Sequence, residues 1–68
     1  MSDTISFRQQ DGIATLSFDN PLRRNALGSV ELEAIEKALG ALDDATRVLL
    51  ITSSDDRVFC AGADLNQI

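Results

Sequence analysis

Few residues in this chain have side chains suited to chemistry. Residues 58–65, VFCAGADL, combine one thiol and one carboxylate with small residues. Cys60 has no histidine anywhere in the chain to deprotonate it, which excludes a Cys/His nucleophile and a Cys/His metal site. Asp43-Asp44 and Asp55-Asp56 are adjacent carboxylates of the kind general acid–base catalysis uses. Their places, at a helix end and in a loop, read instead as solvated turn residues. Asp64 reads as a helix N-cap or first-turn acid. What remains is the main chain. Gly62 between two alanines lets a ligand approach the backbone closely, and a backbone N–H is a donor for a developing oxyanion. On these grounds alone, small residues at a strand–helix junction more often serve just tight packing.

The surrounding elements follow from hydrophobic period. Ile5 and Phe7 alternate with Ser6 and Arg8, then Ala14, Leu16 and Phe18 alternate with Thr15 and Ser17. An Asp11-Gly12 pair between the two runs predicts a β-hairpin. Asn20-Pro21 breaks the pattern as a turn. From Gly28 or Ser29 the period changes, and Leu32, Ile35, Leu39 and Leu42 recur as the buried stripe of one helix. Glu31, Glu33, Glu36 and Lys37 fall mostly off that stripe, and Glu33–Lys37 is a favourable i,i+4 pair. Gly40 near the helix end is expected to answer a close packing contact. RVLLITSS then runs without alternation, the pattern of a strand covered on both faces. VFCAGADL lies just past its carboxyl end, where open α/β sheets bind ligands, and ADLNQI is expected to start a helix.

Composition narrows the partners. Eleven acidic against six basic residues give a formal charge of −5, which is not the footprint of a nucleic-acid binder. MSDTISF lacks the charged and apolar regions of a secretory signal, and the longest apolar run, Val48 to Ile51, is too short for a bilayer. A cytoplasmic protein with neither nucleic-acid nor membrane partners is the expectation. With 68 residues and no staple, the chain reads as a marginal mini-domain or as one end of a larger fold.

NPLRRNAL at 20–27, the amphipathic helix, RVLLITSS and VFCAGADL occur in an order and spacing that resembles the enoyl-CoA hydratase/isomerase (crotonase) superfamily. The resemblance covers Ile5 to Leu65. It implies an α/β fold of ββα units wound into a spiral. Residues 1–68 would be the N-terminal part of one such domain: hairpin, helix and buried strand. The family commonly assembles as trimers, so a homo-oligomer, trimer or hexamer, is expected. The implied partner is an acyl-CoA thioester, with coenzyme A entering as part of the substrate and no separate cofactor or metal.

By the same resemblance, Ala63 donates its backbone N–H to the thioester oxygen. Ala61, Gly62, Asp64 and Leu65 hold the acyl-CoA, while Arg23 or Arg24, with Ala26 and Leu27 nearby, lines the CoA path. Such donors stabilise an enolate, each by about 2.7–4 kcal/mol in comparable sites. Asn66 stands where many members carry a lysine suited to CoA phosphates. The family's second oxyanion donor and its catalytic glutamates lie beyond position 68, so the chain by itself is expected to be inactive. Hydratase or isomerase chemistry is the expected reaction type, although decarboxylation, dehalogenation and thioester hydrolysis reuse the same hole. A different class remains open: a truncated, non-catalytic crotonase-like interaction or structural module, for example one that docks onto a full-length relative.

Overall fold

A computed structural model describes residues 3–63. Strands β1 (Ile5–Gln10) and β2 (Ile13–Phe18) form an antiparallel hairpin that pairs Ile5 with Phe18 and Gln10 with Ile13. Asp11 and Gly12 both take positive φ, 55° and 80°, as a two-residue type I′ turn requires. A single turn of 3-10 helix, Pro21–Arg23, follows, with proline at its first turn where the missing N–H costs nothing. Helix α1 (Ser29–Gly40) then carries the chain across to β3 (Val48–Ser53), which pairs in parallel with β2. Sheet order is β1-β2-β3. The Gly12 carbonyl accepts from the N–H groups of Arg47 (2.7 Å) and Val48 (3.3 Å), so the hairpin turn sets where β3 begins. No helix among the described residues is long and apolar enough to cross a membrane.

The core lies between α1 and one face of the sheet. Ile5, Leu16, Phe18, Ala34 and Ala38 are buried together, with Phe7, Leu27, Ile35, Leu49 and Cys60 packed on them. The expected helix stripe is corrected here. Ala34 and Ala38, with Glu31, face the sheet, whereas Leu32 and Leu39 are each 46% exposed. The true stripe is turned by one residue from the leucine stripe, about 100° around the axis. Alanines let the helix approach the sheet closely, and only Ile35 belongs to both stripes. Gly40 is also corrected: a methyl group there would meet nothing within 4 Å, so no close contact calls for glycine.

Cover over β3 differs from expectation too. Helix α1 packs mainly over β1, so the far strand is left open on its inner face as well as its outer one. Val48, Leu50 and Ile51 are 46–47% exposed, and Leu49 alone in this run packs on the core. The register puts Ile51 beside Leu16 on the inner face, and Leu50 beside Thr15 on the outer. Among the described residues, nothing covers that outer face.

Glu31 anchors the helix start. Its Oε1 accepts from the Gly28 N–H at 2.9 Å, the returning half of a capping box whose other half glycine has no side chain to supply. Thr4 Oγ1 donates to its Oε2 at 2.6 Å. The Thr4 hydroxyl, and after it the Gly28 N–H, hold the Glu31 carboxyl below its ordinary value of 4.5 against the opposing effect of burial. A residue expected off the buried face thus ties the entry of β1 to the N-terminus of α1.

Candidate functional site

The loop after β2 and the loop after β3 are hydrogen-bonded side by side. The Ala61 N–H donates to the Arg24 carbonyl at 3.0 Å, and the Leu27 N–H donates to the Gly62 carbonyl at 2.8 Å. Leu27 and Ala63 form a parallel bridge. Residues 24–27 and 61–63, separate in sequence, therefore make one short ribbon at the carboxyl ends of β2 and β3. The Gly62 carbonyl just before Ala63 takes the Leu27 N–H, and in a parallel bridge of this kind the N–H of the bridge residue itself faces away from the partner strand. Ala63 and Ala61 are exposed, and Gly62 is half-buried.

Backbone conformation explains the residue types. Gly62 has φ +105°, a region that side-chain-bearing residues rarely adopt, although open space surrounds the place of its missing Cβ. Its N–H donates to Cys60 Sγ at 3.4 Å, and that thiol donates to the Asn25 carbonyl at 3.3 Å. The thiol is thus a half-buried packing and hydrogen-bonding group within the turn. Arg24 and Asn25 are consecutive left-handed residues, φ 52° and 58°. Asparagine is among the few non-glycine residues that tolerate this conformation.

Asn25 is the residue that sequence reasoning missed. It is 1% exposed. Its Oδ1 accepts from the Asn20 N–H at 2.7 Å, while its Nδ2 donates to Ser53 Oγ at 2.8 Å and to the Phe59 carbonyl at 3.0 Å. The partners fix the amide's orientation, because the Asn20 N–H can only donate and the Phe59 carbonyl can only accept. The available signal was an asparagine two residues beyond a proline-started turn, where a left-handed position is common.

A groove of about 420 Å³ opens beside the ribbon, lined by Pro21, Leu22, Arg24, Asp55, Arg57 and Val58. Arg23 and Arg24 are exposed, and Arg24 lines the groove. Arg57, a second cation there, was not anticipated. Ala26 and Leu27 are half-buried, with the Ala26 N–H donating to the Arg23 carbonyl at 3.0 Å. Leu27 packs on the core, which places its backbone in the ribbon and its side chain away from solvent. Asp64, Leu65 and Asn66 lie outside the described residues, as does the helix expected from ADLNQI.

The two carboxylate pairs behave differently from each other. Asp43 is a solvated turn residue whose Oδ1 accepts from the Ala45 N–H at 2.9 Å and from Thr46 Oγ1 at 3.0 Å. Asp55 is not solvated, against expectation: its side chain is 5% exposed. Its Oδ1 accepts from the backbone N–H of Arg57 at 2.9 Å and from Arg57 Nε at 3.3 Å. The Arg57 backbone N–H, with the guanidinium behind it, holds this carboxyl below the usual range. The side chain tightens the 55–57 turn and pulls Arg57 to the groove. Among the described residues no cluster of three or more His, Cys, Asp or Glu side chains could hold a metal.

Comparison with known proteins accounts for this arrangement. Residues 8–68 match the family model for enoyl-CoA hydratase/isomerase. The chain is 36% identical over 66 residues to a probable enoyl-CoA hydratase, echA6, of Mycobacterium leprae, covering 91% of this chain and 27% of that protein. It is 45% identical over 58 residues to enoyl-CoA hydratase domain-containing protein 2, mitochondrial, of Bos taurus, covering 82% of this chain and 20% of that one. The fold superposes on a carnitinyl-CoA hydratase from Mycobacterium avium with a TM-score of 0.84 and 29% identity, over 97% of this chain and 26% of that one. The chain thus spans about a fifth to a quarter of the length of these relatives. Family model, relatives and fold agree, and the chain belongs to the enoyl-CoA hydratase/isomerase, or crotonase, superfamily.

Proposed function

We propose that this segment is the N-terminal part of an acyl-CoA enzyme of hydratase or isomerase type, in which the Ala63 N–H polarises the thioester carbonyl. One observation carries the reading: the 24–27 and 61–63 ribbon bonds through the Ala61 N–H and the Gly62 carbonyl, a parallel bridge in which the Ala63 N–H turns away from Leu27. A donor held by its neighbours rather than by its own hydrogen bond is preorganised for charge that develops on a ligand. Similarity to proteins named enoyl-CoA and carnitinyl-CoA hydratases supports a CoA thioester as ligand.

Around that donor, this chain's residues divide the work. Gly62 keeps the approach to the backbone open and holds the turn that only glycine adopts easily. Arg23, Arg24 and Arg57 supply positive charge for phosphate oxygens beside the groove, Arg23 and Arg24 from one loop and Arg57 from the other. Ala61 and Gly62, with Asp64 and Leu65, form the wall along which the acyl-CoA lies. The proton-transfer groups and the second oxyanion donor come from outside these 68 residues.

The test compares two substitutions in the full-length protein. Gly62→Val should lower turnover of an enoyl-CoA by about 10²-fold or more, the scale of one lost oxyanion donor. Cys60→Ser should retain a readily measured rate, because the thiol only hydrogen-bonds within the turn. A folded Gly62→Val enzyme at full activity, with Cys60→Ser inactive, would overturn the main-chain reading.

A further inference from the structure

Asn25 is a buried amide with both donors and one acceptor engaged, bonding Asn20 of its own loop, Ser53 at the end of β3 and Phe59 of the loop that follows. Its carbonyl also receives the Cys60 thiol at 3.3 Å. The residues on either side continue the same seam, Arg24 to Ala61 and Leu27 to Gly62. Of the side-chain bonds at this seam, the one from Asn25 Nδ2 to the Phe59 carbonyl acts four residues before Ala63. The amide joins the end of β3, through Ser53, to the turn whose backbone must be aimed.

We infer that Asn25 is a positioning residue that sets the direction of the Ala63 N–H by holding the Phe59 carbonyl. The inference rests on the proposed role of Ala63. At 1% exposure, Asn25 acts through its protein partners and not on the substrate directly. Its Nδ2 must donate in two directions at once, which neither leucine nor a carboxylate of the same shape can do. A shift of about 1 Å in an aimed donor costs about 10²-fold in rate, so loss of this bond should be felt in turnover more than in affinity.

Asn25→Asp isolates the donor. Aspartate has the same shape and tolerates the left-handed backbone, but its ionised carboxylate would face the Phe59 carbonyl with an acceptor. Protonation restores an O–H that can donate to that carbonyl, and burial beside the Phe59 carbonyl raises the pKa against the Asn20 N–H, so that the neutral form is reached in mild acid. In the full-length enzyme, kcat of Asn25→Asp should fall about 10²-fold at about pH 8, with KM for the enoyl-CoA changed by less than about 3-fold. Relative to the unsubstituted enzyme, it should recover about 10-fold or more by about pH 5.5. Asn25→Gly, which keeps the backbone and removes the side chain, should show the kcat loss without the recovery. A constant ratio of Asn25→Asp to unsubstituted enzyme across pH, or full kcat in Asn25→Gly, would overturn the inference. If the unsubstituted protein turns over no acyl-CoA, the role of Ala63 fails, and amide exchange at Leu27 and Ala61, the N–H donors of the seam, then decides alone. Protection lost in Asn25→Asp and regained in acid supports the positioning role, and unchanged protection refutes it.

Discussion

Strands β2 and β3 are six residues each and pair in parallel, yet they meet different surroundings. In β2, Ala14, Leu16 and Phe18 are 0–6% exposed, and the residues between them are polar. In β3, four apolar residues follow one another, and three of them are nearly half exposed. Alternation in β2 belongs to a strand with one dry face, which α1 and the hairpin supply. The unbroken run of β3 belongs to a strand meant for cover on both faces, and the described residues supply little of either. Sequence pattern thus records the environment a strand is built for, which these residues provide in full only for β2.

The sharpest way to break that comparison is Leu16→Ala. Leu16 is 2% exposed at the centre of the core, so its truncation should lower unfolding stability by about 2–5 kcal/mol, read from a urea titration. A loss below about 1 kcal/mol would mean that the hairpin face is no better packed than β3.

Glu31→Gln comes next, because it loosens the helix that seals β2. Replacing the charged acceptor of the Thr4 and Gly28 bonds should cost about 1–2 kcal/mol at neutral pH. The folded-state pKa of Glu31 is depressed. Its stabilisation is therefore complete above the unfolded value near 4.5 and is lost as pH falls through the folded value. The gap between Glu31→Gln and the unsubstituted protein should close in acid, measured as Tm against pH; a gap that widens there would contradict the assignment.

Leu50→Lys has the smallest expected effect on stability and probes the open strand itself. At 46% exposure the substitution should change the unfolding free energy of the 68-residue chain by less than about 1 kcal/mol. It should nevertheless reduce self-association, because a lysine on an uncovered apolar strand blunts edge pairing. Light scattering that is unchanged by Leu50→Lys would show that the exposed run is not the sticky surface.

Much of the fold was legible because period and turn chemistry are local signals. Alternation and Asp11-Gly12 specify the hairpin, and the change of period at Ser29 specifies the helix. The buried face of α1 was misread because Leu32 and Leu39 outweigh Ala34 and Ala38 in hydrophobicity. Closeness of helix to sheet selects the smaller residues, and closeness is a tertiary property. The candidate site was named as two motifs through resemblance, and their juxtaposition is what the fold adds. Asn25 and Arg57 escaped because their roles depend on partners far along the chain: Ser53 and Phe59 for Asn25, and the groove facing Arg24 for Arg57. Glu31 escaped for the same reason, its partner Thr4 being 27 residues away.

The central claim is that main-chain geometry at Ala63, rather than any side chain, acts on the thioester. The most direct measurement is the infrared stretching frequency of the thioester carbonyl, isotopically labelled at carbon, for an acyl-CoA bound to the full-length protein. A hydrogen-bonded, polarised carbonyl absorbs at lower frequency than the free one. The account predicts a downward shift on binding that is largely lost in Gly62→Val and retained in Arg24→Ala and Cys60→Ser. A bound thioester that absorbs where the free one does, or a shift that Gly62→Val leaves intact and Cys60→Ser abolishes, would contradict it.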